Sequence, residues 1–213
     1  MPKKNKNVPG LLKALKKEYP SPSCALRHAN PVELLVATIL SAQCTDARVN
    51  KVTENLFVKY RSARDFAEAS QTDLERDIHS TGFFRNKAKS IRGMARMVME
   101  KFGGEIPRTM EELLLLPGVA RKTANVVLGT AFHIASGIVV DTHVMRLSGR
   151  LGLSLEKTPE KIERELMSFV PKDEWIWLAF ALITHGRSVC TARSPKCFAC
   201  PIRPSCANPD VYA

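Results

Sequence analysis

The sequence predicts an all-α protein. Helix starts marked by capping residues recur along the chain, and apolar residues recur at helical spacing. No segment alternates like a half-buried strand, and no Asn-Gly type hairpin turn is present. About nine or ten helices are expected. Asn30-Pro31-Val32-Glu33 supplies an N-cap, a Pro at the first helical position and an acid at the third. Val49, Val52, Leu56 and Tyr60 share one helical face. Ser62-x-x-Asp65, Thr72-x-x-Glu75 and Thr109-x-x-Glu112 repeat the capping pattern. Ile91, Met94, Val98 and Phe102 form another stripe, stopped by Gly103-Gly104. Ile138-Val139-Val140 is the nearest thing to a strand and runs straight into a helix start at Asp141-Thr142. Thr158-Pro159-Glu160 opens a further helix. Leu34 to Leu40 (Thr38 apart) and Trp175 to Ile183 are apolar all round, as in helices at the centre of a bundle. The Pro-rich C-terminal segment that holds four cysteines reads as loop.

The 213 residues suffice for one or two domains with a sizeable core. With 45% apolar and 25% charged residues, wholesale disorder is excluded. The longest apolar run, Trp175 to Ile183, is too short to cross a bilayer, so no membrane association is expected. The first lysines are not followed by an apolar stretch, so no secretory signal is expected. The net charge of +11 is uneven. Residues 1–20 hold six Lys against one Glu, and residues 84–101 hold six Lys and Arg against one Glu. Residues 185–206 hold four cations and no acid, while the rest of the chain is slightly acidic. Such clusters suit either a polyanion or solvated helix faces.

Four of the six cysteines form Cys190-x6-Cys197-x2-Cys200-x5-Cys206. A short loop-rich segment cannot bury enough apolar surface to fold by itself, and a metal site supplies the missing energy. Four thiolates suit tetrahedral zinc or an iron–sulfur cluster, although a zinc ribbon usually shows two Cys-x2-Cys knuckles and only one is present. Cys24 and Cys44 stand alone and read as small core residues.

Leu113 to Ala124 is the most informative stretch. One helix ends at Pro117, a turn follows at Gly118, and a second helix starts near Ala120. Such a turn aims backbone N–H groups outward from a helix N-terminus, where a phosphate can bind. Arg121 and Lys122 sit in the first turn of that helix. They face the positive end of its dipole, at a cost of about 0.3–1 kcal/mol each that an anion would offset. Lys122 also has the setting of a reactive amine. With a reference pKa of about 10.4, a neutral lysine at pH 7 costs about 4.6 kcal/mol. A neighbouring Arg, the helix terminus and partial burial all lower that cost. Nineteen residues on, Val140-Asp141-Thr142-His143 puts an acid at another helix start, where it serves as a cap or as a catalytic carboxylate.

Leu116-Pro117-Gly118-Val119-x-Arg121-Lys122-Thr123-Ala124, Val140-Asp141-Thr142-His143 and the cysteine spacing together resemble the endonuclease III family of the helix-hairpin-helix, Gly-Pro-Asp superfamily of DNA glycosylases. Leu40-Ser41-Ala42-Gln43-x-Thr45-Asp46 and Gly82-Phe83-Phe84-x-Asn86-Lys87-Ala88 are also similar to family segments. The resemblance implies two helical domains with a DNA-binding cleft between them. One would span 24–135 and carry the helix-hairpin-helix. The other would join 1–23 to 136–213 and hold a 4Fe–4S cluster on the four cysteines. It implies a monomeric, cytoplasmic, nucleoid-associated enzyme of base excision repair that excises oxidised pyrimidines from damaged double-stranded DNA. Lys122 would form a Schiff base and cut the strand by β-elimination, with Asp141 stabilising positive charge on the sugar. Gln43 would fill the gap left by the flipped nucleotide, and Phe83 would either prop the opposite strand open or pack in the core. Gly118, Val119, Ala120 and Arg121 would cradle phosphate, Arg193 and Lys196 would meet further phosphates, and His143 would orient Asp141, contact DNA or sit buried. The alternatives are an adenine-mismatch or other monofunctional glycosylase, a non-catalytic DNA-binding paralogue, and a zinc-stabilised nucleic-acid-binding protein. The chain departs from the family pattern in three places. Ala120 stands where a second Gly is usual, so that its Cβ would crowd the backbone near the phosphate or meet a disfavoured positive φ. Phe83 replaces the commoner Leu, and the Lys122–Asp141 spacing is one residue longer than in many members.

Overall fold

The computed structural model describes residues 3–209 and contains eleven α-helices, with no strand among those residues. The outermost residues of the domain expected from 1–23 and 136–213 lie outside the described ones. The chain divides into two compact units, Cys24–Ser136 and a second that joins Met1–Ser23 to Gly137–Ala213.

The first unit holds α2 (Pro31–Leu40), α3 (Asp46–Lys59), α4 (Ala63–Glu68), α5 (Gln71–Asp77), α6 (Phe84–Phe102), α7 (Met110–Leu115) and α8 (Arg121–Ala131). Asn30, Thr45, Ser62, Ser70 and Thr109 each cap the following helix by accepting from a backbone N–H three residues on. Ser62 and Asp65 form a reciprocal capping box. The cap of α5 is Ser70, not Thr72. Both precede an acid by three residues, and the start at Ser70 lets Leu74 and Ile78 bury one turn apart. α6 packs on α4 and α5, and α2 packs on α3, α6 and α8. Leu34, Leu35, Leu40, Phe66, Ile91 and Met94 are fully buried in this core, each worth about 1.5–3 kcal/mol of transfer free energy.

The second unit holds α1 (Val8–Glu18), α9 (Thr142–Leu151), α10 (Pro159–Met167) and α11 (Trp175–Ser188). Asn7 caps α1, and Leu11 and Leu15 are buried at i, i+4 spacing. α11 packs on α9. Its central turn is buried all round, while Trp175 and Trp177 at its start are half-buried and anchor through indole N–H bonds to the Val170 and Tyr19 carbonyls. Ile138, Val139 and Val140 are buried without joining a ladder. Cys24 and Cys44 are half-buried, so neither is the small core residue that sequence predicted.

Candidate active site and cysteine loop

In the first unit, α7 ends at Leu115, before the expected Pro117; its C-cap Leu116 donates its N–H to the Leu113 carbonyl, and Val119 N–H bonds the Leu116 carbonyl at 3.1 Å. Gly118 has φ +79, and a Cβ there would lie 2.7 Å from Ser90 Cβ. Glycine is therefore required both by conformation and by contact. Val119 is buried and pins the turn to the core. Ala120 has φ −99 and ψ 170, ordinary extended backbone. The expected conflict between its Cβ and a positive φ does not arise. It also makes no side-chain cap, so α8 begins without one. Arg121 and Lys122 are exposed on the first turn, above a helix buried from Ala124 to Gly129. The partial burial that the sequence predicts for Lys122 is not supplied within this unit.

Two exposed side chains of the same unit sit on strained backbone. Gln43 (φ +52) and Phe83 (φ +48) are two of three non-glycine residues at positive φ among those described. Each such conformation costs about 1–3 kcal/mol and persists only where its surroundings impose it. Phe83 is 62% exposed, which excludes the core-packing role open to it from sequence. Lys87 was read as part of a basic cluster. It is instead buried, and its ammonium donates to the Leu40 and Thr81 carbonyls at 2.8 Å each. The signal was present: Lys87, Ile91, Met94 and Val98 share one helical stripe.

In the second unit, Asp141 caps α9. Its Oδ1 accepts from the His143 and Val144 N–H groups, both at 2.8 Å. Both bonds fall on one oxygen, and Oδ2 takes no part in the cap. His143 is half-buried, with Nδ1 3.2 Å from Arg146 Nη2, so its backbone rather than its ring meets Asp141. Arg146 donates to the Gly186 and Cys190 carbonyls, and Arg150 to the Thr191 and Ala192 carbonyls and Cys190 Sγ. These two guanidiniums tie the helix begun by Asp141 to the start of the cysteine loop, a link no sequence pattern announced.

Cys190, Cys197, Cys200 and Cys206 line one cavity, together with Leu151, Val189, Pro195 and His185. Burial, reinforced by the other three thiols, pushes the Cys200 thiol above its ordinary value. His185 is buried, and burial pulls its pKa down to about 4, so it is neutral at pH 7. Its Nδ1 meets the Tyr19 hydroxyl at 2.9 Å and its Nε2 lies 3.6 Å from Cys200 Sγ. Among the described residues no three His, Cys, Asp or Glu groups are gathered closely enough to hold one metal ion. Four thiolates on a single zinc, with Zn–S about 2.3 Å, would crowd to about 3.8 Å of one another. Arg193 and Lys196 are exposed on this loop. No described helix is long and apolar enough to cross a membrane.

Residues 36–172 match the HhH-GPD superfamily of base excision DNA repair proteins. The chain is 54% identical to the Endonuclease III of Synechocystis sp., over 98% of this chain and 95% of that one. It is similar to a solved non-covalent Endonuclease III–DNA complex, with a TM-score of 0.91 and 45% identity over 97% of this chain and 96% of that one. It is equally similar, with a TM-score of 0.91 and 44% identity over 97% of both chains, to a trapped Endonuclease III–DNA covalent intermediate. The chain belongs to the endonuclease III family.

Proposed function

We propose that the protein is a bifunctional DNA glycosylase and AP lyase of base excision repair, acting on damaged double-stranded DNA and excising oxidised pyrimidines. The observation that carries this is Lys122, an exposed amine beside Arg121 on the first turn of a helix that no side chain caps. Kinship with Endonuclease III, including a relative trapped as a covalent DNA intermediate, supports it.

The hairpin N–H groups around Gly118 to Arg121 take a backbone phosphate, whose charge suits the helix terminus. Lys122 attacks the sugar C1′. The C1′–base bond breaks with its electron pair leaving on the base, and opening of the sugar ring yields the imine. Loss of the C2′ proton expels the 3′ oxygen and cuts the strand 3′ to the lesion. The amine must be neutral to attack. Because the protein leaves Lys122 exposed, the desolvation that favours this form comes from DNA closing over it. Asp141 stabilises developing positive charge on the sugar and assists proton transfer through Oδ2, since Oδ1 is committed to the α9 cap. A carboxylate of reference pKa about 3.9 is too weak a base to be the sole activator of the lysine.

Gln43 fills the gap left by the flipped nucleotide and Phe83 props the opposite strand open. Their exposure and imposed positive φ support these roles. Exposed Arg193 and Lys196 meet phosphates, and His143 contacts DNA beside Asp141. Cys190, Cys197, Cys200 and Cys206 hold a 4Fe–4S cluster. Four thiols lining one cavity can supply one thiolate to each iron. When bound, the cluster supplies folding energy to the loop that presents Arg193 and Lys196.

Borohydride should trap the protein covalently on abasic-site DNA, and Lys122→Gln should abolish both trapping and strand cutting. A wild type that is never trapped, or a Lys122→Gln variant that still cuts, removes the lyase assignment.

A further inference from the structure

Lys87 is 5% exposed and lies one turn into α6. A buried ammonium is unfavourable unless its donors are satisfied, and Lys87 meets two backbone carbonyls rather than a carboxylate. The first belongs to Leu40, the last residue of α2. The carbonyls of Ala37, Thr38 and Ile39 are taken by the Ser41 and Ala42 N–H groups, and that of Leu40 goes to Lys87. The negative end of the α2 dipole favours a cation there. The second carbonyl belongs to Thr81, which ends the short 3-10 turn His79–Thr81 just before Gly82, at φ +71. Three residues past the first tie stands Gln43, and two past the second stands Phe83, both at positive φ. Desolvation by burial lowers the Lys87 pKa from its ordinary value, with the nearby Cys44 thiol acting against it. An apolar side chain of the same length would fill this stripe equally well. Only a side chain with cationic donors joins the two loops.

We propose that Lys87 is a positioning residue that fixes the Gln43 loop and the Phe83 loop in one register, so that the two side chains enter the duplex as a single unit. This rests on the reading of Gln43 and Phe83 as DNA-inserting residues.

Lys87→Met keeps the stem and removes the donors. The probe is a duplex with 2-aminopurine placed opposite a stable abasic-site analogue, whose fluorescence rises when the opposite base is unstacked. Lys87→Met should bind undamaged duplex within about twofold of wild type, since phosphate contacts dominate there. It should lose about tenfold or more in affinity for the abasic-analogue duplex, together with most of the fluorescence rise. Lys87→Arg, which keeps charge and donors, should recover both. Cutting of single-stranded abasic-site DNA, where no opposite strand is propped open, should stay at the wild-type rate. A folded Lys87→Met with wild-type fluorescence and discrimination overturns the proposal. Gln43→Ala and Phe83→Ala are measured alongside. If neither lowers the fluorescence rise, the insertion reading itself fails and takes the role of Lys87 with it, an outcome distinct from a silent Lys87 variant. Should Lys87→Met not fold, hydrogen exchange of the wild type decides. The amides of 41–45 and 81–84 should open in one cooperative step, and independent opening overturns the proposal.

Discussion

Helices α8 and α9 begin in opposite ways. α8 starts at Ala120, which offers no side-chain cap, and puts two cations into its first turn. α9 starts at Asp141, which takes two backbone N–H groups on one carboxylate oxygen. A side-chain N-cap is worth about 0.5–2 kcal/mol, and each cation at a helix start costs about 0.3–1 kcal/mol. Viewed as isolated helices, α9 is locally optimised and α8 is not. α8 survives because its other face is buried from Ala124 to Gly129 and because Gly118 lets the preceding turn close against Ser90. Stability given up at an exposed helix start, and recovered from the core, leaves that start open to a ligand of opposite charge. The two starts thus differ: one is left without a side-chain cap, the other holds a carboxylate in a fixed direction with one oxygen outside the cap.

The largest effect that tests this contrast is on Asp141. Asn caps a helix about as well as Asp, so Asp141→Asn should leave thermal stability within about 0.5 kcal/mol while strand cutting falls about 10²–10⁴-fold, the usual span for a lost acid–base group. Single-turnover cutting and a melting curve on the same sample check both halves. A Tm that collapses with activity would mean that the carboxylate matters only as a cap. Removing the exposed cations of the cysteine loop comes next. Arg193→Ala with Lys196→Ala should lower the slope of log affinity against log salt by about 1.8, two phosphates' worth. A titration series from low to physiological salt measures this, and an unchanged slope assigns both side chains to solvent alone. Supplying α8 with the cap it lacks, through Ala120→Asp, should stabilise the protein by about 1 kcal/mol while weakening DNA binding several-fold, because the new carboxylate occupies the anion's place. Stabilisation without loss of binding would show that the hairpin N–H groups take no phosphate. The smallest change is expected from Ala120→Gly. The backbone there has φ −99, so glycine relieves no strain, and Tm and affinity should both stay close to wild type.

Much of the architecture was readable because it is specified locally. The caps at Asn30, Ser62, Thr109 and Asp141 are chemical statements about the next three residues, and all four side chains accept the N–H bonds expected of them. Where two such statements overlapped, at Ser70 and Thr72, local chemistry could not choose, and burial of Leu74 and Ile78 did. The hairpin motif named its lysine, but the expected partial burial was wrong, since exposure depends on what packs around a residue and not on its neighbours in sequence. Phe83 remained divided between core and surface until the fold left it 62% exposed. Lys87 was misread in the other direction, because a lysine among cations suggests solvent unless its place on an apolar stripe is given weight.

By itself, the order of residues determined the all-helical class, most helix starts, the turn that only Gly118 can make, and the grouping of four thiols in one segment. These follow from interactions within a few residues, for which the chain carries its own instructions. Tertiary structure alone decided which cation is buried and which exposed. It also decided that two arginines of α9 hold the cysteine loop and that one ammonium joins two distant carbonyls. Those outcomes depend on desolvation and on partners far apart in the chain, and a buried charge becomes tolerable only once folding has brought its partners to it.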